Sequence, residues 1–192
     1  MTLLKKEDIM IYVALLRGIN VGGKNKINMK ELKKSFEREG MEKVITYINS
    51  GNIIFEHSNL NEAEIIDVLE EVIFEDFSLE IKVLLRNIKD LAIVIDALPD
   101  HWENDKETKS DVMFLWEEVD DEKVLDELAI KPEIETVLYL PGALLWSVDR
   151  TNQTKSGLAK LASKKLYKKM TIRNVNSTRK IYSLMEEMAN NK

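Results

Sequence analysis

The chain has 192 residues and a formal net charge of −6, and 44% of its residues are hydrophobic. That length and composition allow one sizeable core or two small ones. The absence of cysteine excludes disulfides and thiolate metal sites and is typical of a reducing compartment. The sequence shows no convincing signal peptide and no apolar run near the roughly 20 residues of a membrane helix. We therefore expect a cytoplasmic protein without membrane contact.

The charges are unevenly distributed. Residues 44–149 include 26 acidic and seven basic residues, whereas residues 150–180 include ten Lys or Arg and no acidic residue. This pattern predicts an acidic middle and a basic C-terminal face. The basic face is compatible with binding to nucleic-acid phosphates and equally with the solvated side of a helix. Contact between the acidic region of one copy and the basic region of another would give a homo-oligomer.

Hydrophobic periodicity predicts the order β-α-β-β-α-β and then a helix, twice along the chain. The first set comprises strand 10–16, helix 29–39, strands 44–48 and 53–57, helix 61–75, strand 81–85 and helix 89–97. The second comprises strand 111–117, helix 122–129, strands 136–140 and 143–148, helix 157–168, strand 171–172 and helix 177–189. The order predicts an α+β fold of two tandem ferredoxin-like βαββαβ repeats, each followed by a helix. We expect repeats at 1–98 and 111–192, packed as one unit and joined by a polar linker at 99–110.

Three pairs of landmarks align the two repeats: Gly51 with Gly142 in the hairpin turns, Arg86 with Arg173 at the last strands, and Tyr12 with Val112 at the first strands. In this alignment the first repeat has about nine extra residues between its first strand and its hairpin, by comparison of the residue numbers. The extra residues fall in a polar loop, and enlarged loops on a rigid scaffold commonly carry function.

This loop, which we call the glycine loop (residues 17–26), reads RGINVGGKNK. Its glycines allow backbone N–H groups to approach a ligand, and its cations attract anions. Asn28 and Glu31 predict a capping box at the start of the following helix. The predicted strand order brings the hairpin at 49–52 to the same edge of the sheet. We therefore predict a site for a phosphorylated small molecule or a nucleic-acid backbone, formed by Arg17, Gly18, Asn20, Gly22, Gly23, Lys24, Asn25, Tyr47, Asn49, Ser50, Gly51 and Asn52.

The glycine loop also has the Gly-x4-Gly-Lys spacing of a nucleotide-binding P-loop. Asn25 replaces the Ser or Thr that would hold magnesium, and the next helix begins too late to lie under Lys24. The stretch LAIVID at 91–96 is similar to the second feature expected of a P-loop protein, an apolar strand that ends in aspartate. However, Asn87 before it predicts a helix cap. No nucleophile, general base, metal site or cofactor site can be named. An enzyme acting on a phosphorylated small molecule and a protein-interaction module remain the alternatives to simple ligand binding.

Three stretches resemble one bacterial family: YVALLRGINVGGKN from Tyr12, TYINSGNIIF from Thr46 and MTIRNVNSTRKI from Met170. The family is catalogued as domain of unknown function 1697, so the resemblance implies no particular activity. It does add Arg173, Asn174 and Asn176 of the third stretch as candidate ligand contacts. The family pattern places a tryptophan between the two asparagines, where this chain has Val175. Any stacking of that ring on a ligand would be lost here.

Overall fold

The computed structural model describes residues 9–191, which form an α+β protein with two four-stranded antiparallel sheets and four α-helices in that range. The strands are β1 (Met10–Leu16), β2 (Glu42–Tyr47), β3 (Asn52–His57), β4 (Val83–Asn87), β5 (Thr108–Leu115), β6 (Glu135–Leu140), β7 (Ala143–Asp149) and β8 (Met170–Asn174). The helices are α1 (Met29–Arg38), α2 (Glu62–Phe77), α3 (Ile88–Ala97) and α4 (Val175–Asn190). Within the described residues, no helix combines the length and apolar character needed to cross a bilayer.

The described chain divides into two compact units, residues 9–89 with 183–191 and residues 90–182. The division crosses α3 and α4, so it does not follow the repeat boundaries that we expected at 98 and 111. Each unit contains one sheet. The strand orders are β2-β3-β1-β4 in the first unit and β6-β7-β5-β8 in the second, so both sheets have the same connectivity.

In the first unit, α1 and α2 cover one face of the sheet. Met29, Leu32 and Phe36 recur at helical spacing and are buried against that face. Asn28 caps α1, since its Oδ1 accepts from the Lys30 N–H at 2.9 Å. The carboxylate of Glu31 pairs with Lys34 at 3.1 Å, so the reciprocal bond of the predicted capping box is not the one formed. A complete capping box starts α2 instead, between Asn61 and Glu64.

In the second unit, two predicted α-helices are wrong. Residues 122–129 form a 3₁₀ helix at Glu122–Glu127, and residues 157–168 form two, Gly157–Ser163 and Lys165–Lys169. The buried Leu158 and Leu161 lie three residues apart, which suits a helix with three residues per turn. Lys164 is extended (φ −88°, ψ 151°) and separates the two 3₁₀ helices. Apolar periodicity therefore located this segment correctly but did not determine its helix type.

The segment predicted as a polar linker, residues 99–110, is packed within the second unit. Trp102 in it is buried, and β5 already begins at Thr108. Two arginines hold its backbone. The Arg179 guanidinium donates to Pro99 O at 2.8 Å and to Trp102 O at 2.6 Å. The Arg150 Nε donates to the carbonyl of residue 105 at 3.0 Å. These two members of the basic 150–180 stretch are thus structural.

Candidate functional site

The glycine loop folds as a miniature hairpin. The Asn20 N–H donates to Asn25 O at 3.1 Å, and the Lys24 N–H donates to Val21 O at 3.1 Å. The two residues at the tip, Gly22 and Gly23, have φ of 59° and 78°. Tight hairpin turns of this kind require two consecutive positive φ values, which glycine adopts without strain. The glycine pair is therefore explained by the turn itself, without any ligand.

Asn20 joins this hairpin to its surroundings. Its Nδ2 donates to Ile27 O at 3.0 Å and to Asn49 O at 2.9 Å, and its Oδ1 accepts from the Ile27 N–H at 2.9 Å. The residue is itself in the left-handed region, with φ of 53°. The bond to Asn49 connects the glycine loop to the β2–β3 hairpin. The predicted proximity of these two segments is present in the structure.

We expect Asn20→Ala to lower the free energy of unfolding by about 2–3 kcal/mol, because it removes three hydrogen bonds from backbone groups, each worth about 1 kcal/mol. Alanine at positive φ adds strain. Urea unfolding measures the loss. Asn49→Ala is the matched control, because the bond from Asn20 goes to the Asn49 backbone carbonyl and survives the change. Equal stability of the two variants would refute the role given to Asn20.

An open cleft of about 790 Å³ lies beside the glycine loop. Its walls come from the loop, from the start of α1 and from the β2–β3 hairpin. Two lysines, Lys26 from the loop and Lys30 from α1, are exposed along it. No residue of opposite charge lines this cleft in the described chain. Among the described residues, the lining comprises Asn20, Gly23, Lys26, Ile27, Asn28, Met29, Lys30, Thr46 and Asn49.

The cleft also receives the N-terminus of α1, the positive end of the helix dipole. Asn28 Oδ1 accepts from the N–H groups of Lys30 and Glu31 at 2.9 and 3.4 Å. These two bonds occupy the N–H groups of Lys30 and Glu31, so the α1 N-terminus contributes chiefly the positive end of its dipole to the cleft. Two lysines and a helix N-terminus therefore face the same space.

Three predicted site residues line the cleft: Asn20, Gly23 and Asn49. Several others serve the loop or the hairpin. Asn25 Nδ2 donates to Gly18 O at 3.0 Å. Asn52 is fully buried and donates to Tyr47 O at 3.0 Å and Ser50 Oγ at 3.1 Å. The predicted residues that do not line the cleft are Arg17, Gly18, Gly22, Lys24, Asn25, Tyr47, Ser50, Gly51 and Asn52.

The candidates from the third family stretch lie in other surroundings within the 90–182 unit. Arg173 is buried, and burial lowers the pKa of its guanidinium to about 10. It donates to Thr171 Oγ1 at 3.0 Å. Asn174 Oδ1 accepts from the Ser177 N–H at 2.8 Å, at the start of α4. Asn176 bonds the backbone of residue 104 at 3.2 and 3.3 Å. All three therefore have structural contacts.

Sequence reasoning missed most of the charged wall of the cleft. Lys26 is one of the loop cations but is not among the predicted ligand contacts, and neither is Lys30, which lies in the predicted helix 29–39. The available signal was position, since a lysine at the second residue of a helix that follows an anion-attracting loop lies beside the positive end of the helix dipole. Thr46, on β2, also lines the cleft.

Comparison with known proteins identifies the family. The sequence profile described as "Protein of unknown function (DUF1697)" matches residues 10–146, most of the chain. The chain belongs to this family. The matched region includes the glycine loop, the cleft and the β2–β3 hairpin, whereas the third stretch that resembled the family, from Met170, lies outside it.

A solved structure is also similar to this chain: "The structure of conserved bacterial protein SP0830 from Streptococcus pneumoniae". The two share 31% sequence identity with a TM-score of 0.79, and the match covers 92% of this chain and 99% of the other. No curated protein matches the chain.

Proposed function

We propose that this DUF1697 protein binds a phosphorylated small molecule in the cleft beside the glycine loop. The observation that carries the proposal is the convergence of Lys26, Lys30 and the N-terminus of α1 on one cleft. Arg17 and Lys24, which the sequence favoured, do not line it, so we assign the charged contacts to Lys26 and Lys30. Backbone N–H groups and the amides of Asn28 and Asn49 would complete the binding of phosphate oxygens.

The small number of cations in the cleft favours a small ligand over a nucleic acid. A nucleic-acid surface needs cations spread along several phosphates, and it produces a steep dependence of affinity on salt. Within residues 9–191 two cationic side chains line the cleft, and two arginines of the basic 150–180 stretch hold backbone carbonyls instead. Among the described residues that line the cleft, no general base or nucleophile can be assigned, so the proposal is limited to binding.

The proposal predicts that Lys26→Ala combined with Lys30→Ala weakens binding of a phosphorylated probe at least about a hundredfold, because charge-assisted hydrogen bonds contribute about 1.5–3 kcal/mol each. Both lysines are exposed, so we expect the midpoint of thermal unfolding to stay nearly unchanged. The measurement is calorimetric titration with pyrophosphate, AMP and a sugar phosphate, with a short oligonucleotide as the competing class.

The matched control is Arg17→Ala combined with Lys24→Ala, which removes two positive charges from the glycine loop but none from the cleft lining. It should retain most of the affinity for the probe. Equal losses in the two double variants would mean that only general electrostatic attraction is at work. Binding of the oligonucleotide alone would contradict the small-molecule proposal.

We also propose that the two sheets are tandem copies of a ferredoxin-like βαββαβ unit. Equivalent backbone bonds support this: the Leu16 N–H donates to Gly51 O at 2.8 Å, and the Leu115 N–H donates to Gly142 O at 2.9 Å. The strand registers support the alignment of Arg86 with Arg173, which pair with Val13 and Val112, respectively. Val13 rather than Tyr12 is then the counterpart of Val112. The second copy departs from the ferredoxin-like pattern in its 3₁₀ helices.

A further inference from the structure

The second unit contains its own cleft, of about 450 Å³, on one face of its sheet. Lys109, Asp111 and Met113 alternate along β5 and so point to the same face. Trp146 on β7 lies directly opposite Asp111, and Ile172 on β8 lies opposite Met113. These five side chains form the floor. The two 3₁₀ helices of residues 157–169 supply the walls, with several small and apolar residues.

The fold does not require a charged side chain at the position of Asp111 on this floor. In the first sheet, the cross-strand pair at the corresponding position is Tyr12 and Phe55, whose rings lie 5.9 Å apart in the core. In the second sheet that position holds Asp111 and Trp146. Asp111 is buried to 7% exposure, and burial raises the pKa of its carboxyl group. A buried carboxylate at a core-facing position is costly, which favours a functional reason for it.

The polar atoms are fixed in place. Asp111 Oδ2 pairs with Lys109 Nζ at 3.4 Å, and within residues 9–191 this is the one side-chain bond of that carboxylate. Lys109 Nζ also lies 5.8 Å from the centroid of the Trp146 ring. The indole Nε1 donates to the buried Glu135 carboxylate at 2.9 Å, which holds the ring in one orientation. The cleft therefore presents an acceptor, an adjacent cationic donor and a fixed aromatic side chain.

We propose that this cleft binds a small planar amide or amino-heteroaromatic compound. An N–H of the ligand would donate to Asp111, its neighbouring oxygen or ring nitrogen would accept from Lys109, and its flat body would pack among Trp146, Leu158 and Leu161. The paired charges of Lys109 and Asp111 disfavour a ligand that carries a full charge of either sign. The volume and the mixture of apolar walls with a few polar groups are typical of small-molecule sites.

The test uses nicotinamide, adenine and cytosine as probes, with methyl nicotinate as the matched compound that keeps the acceptor but lacks the N–H. Binding is measured by ligand-observed NMR and calorimetry on the full chain. We expect at least one of the three probes to bind with a Kd of roughly 1 mM or tighter, in the range of small fragments. Methyl nicotinate should bind at least tenfold more weakly than nicotinamide.

Two variants locate the binding. Asp111→Asn removes the anionic acceptor while keeping the side-chain size, and Ala162→Trp fills the cleft from its exposed rim. Each should weaken binding of the best probe at least tenfold, and an unfolding midpoint close to or above that of the wild type would show that the fold persists. Asp149→Asn, on an exposed carboxylate of β7 outside this cleft, is the matched control and should bind normally.

Failure of all three probes, or binding that survives both cleft variants, would overturn the proposal. The result is independent of the anion site, because the variant that lacks Lys26 and Lys30 should bind these planar probes as the wild type does.

Discussion

Gly157→Ala is expected to lower the free energy of unfolding by at least about 4 kcal/mol, which corresponds to about 8 °C or more in the unfolding midpoint for a chain of this length. A Cβ atom at this position would lie 1.7 Å from Ala129 O and 2.3 Å from Ala129 C. Both contacts are with backbone, so no side-chain rotation can relieve them. The Gly157 N–H also donates to Glu135 Oε1 at 2.6 Å, and movement of the chain would lengthen that bond.

Gly40→Ala separates this steric effect from backbone strain. Gly40 has φ of 89°, and a Cβ there would meet nothing within 4 Å. Gly40→Ala should therefore lower the free energy of unfolding by only about 1–2 kcal/mol, which is the penalty for an alanine in the left-handed backbone region. Thermal and urea unfolding of both variants give the comparison. If Gly157→Ala were no less stable than Gly40→Ala, the close approach between residues 157 and 129 would be incorrect.

Glu135→Leu should have the second large effect and lower the free energy of unfolding by about 3 kcal/mol or more. The buried Glu135 carboxylate accepts from Trp146 Nε1 at 2.9 Å, from the Gly157 N–H at 2.6 Å and from the Lys131 N–H at 2.9 Å. The bonds from Trp146 and Gly157 are buried, and each buried donor left without an acceptor costs about 1–3 kcal/mol. Leucine can fill the space but cannot accept any of the three bonds. Because the carboxylate holds the Trp146 indole, the same change should weaken binding in the cleft on the second sheet.

Urea unfolding measures this loss, with Glu133→Leu as the control. Glu133 is exposed and lies two residues away, so its change should alter stability by less than about 0.5 kcal/mol. The stability of Glu135→Gln should fall between the two, since the amide oxygen can replace Oε1, which accepts from Gly157 and Lys131, but the amide NH₂ cannot accept from Trp146. If Glu135→Leu were about as stable as Glu133→Leu, the Glu135 carboxylate would not contribute to stability.

The first sheet and its helices could be predicted because local signals agreed with tertiary packing. Strand 10–16 was predicted with its observed limits, since the whole segment is apolar and ends at Arg17-Gly18. The start of α1 followed from Asn28, whose side chain does cap the helix. The interpretation of 91–96 as helix rather than nucleotide-binding strand is confirmed by α3. In each case a cap or a turn residue marked the boundary.

The candidate site was predicted less well, because long-range bonds decide what each loop residue does. Composition indicated a cationic, asparagine-rich loop but could not show that Asn20 and Asn25 bond the loop's own backbone or its neighbour. It also could not show which cations line the cleft, since that depends on the fold of the hairpin at 20–25. Nor could it show that the segment beginning at Gly157 is held by Glu135, a residue 22 positions earlier.

Backbone amide NMR during titration with pyrophosphate tests the central claim most directly, because it reports where on the chain the anion binds. Anion binding in the proposed cleft predicts saturable shifts centred on the amides of Gly23, Met29 and Lys30, and their loss when Lys26 and Lys30 are both alanine. Shifts that do not saturate, or that are confined to the basic 150–180 stretch, would contradict it.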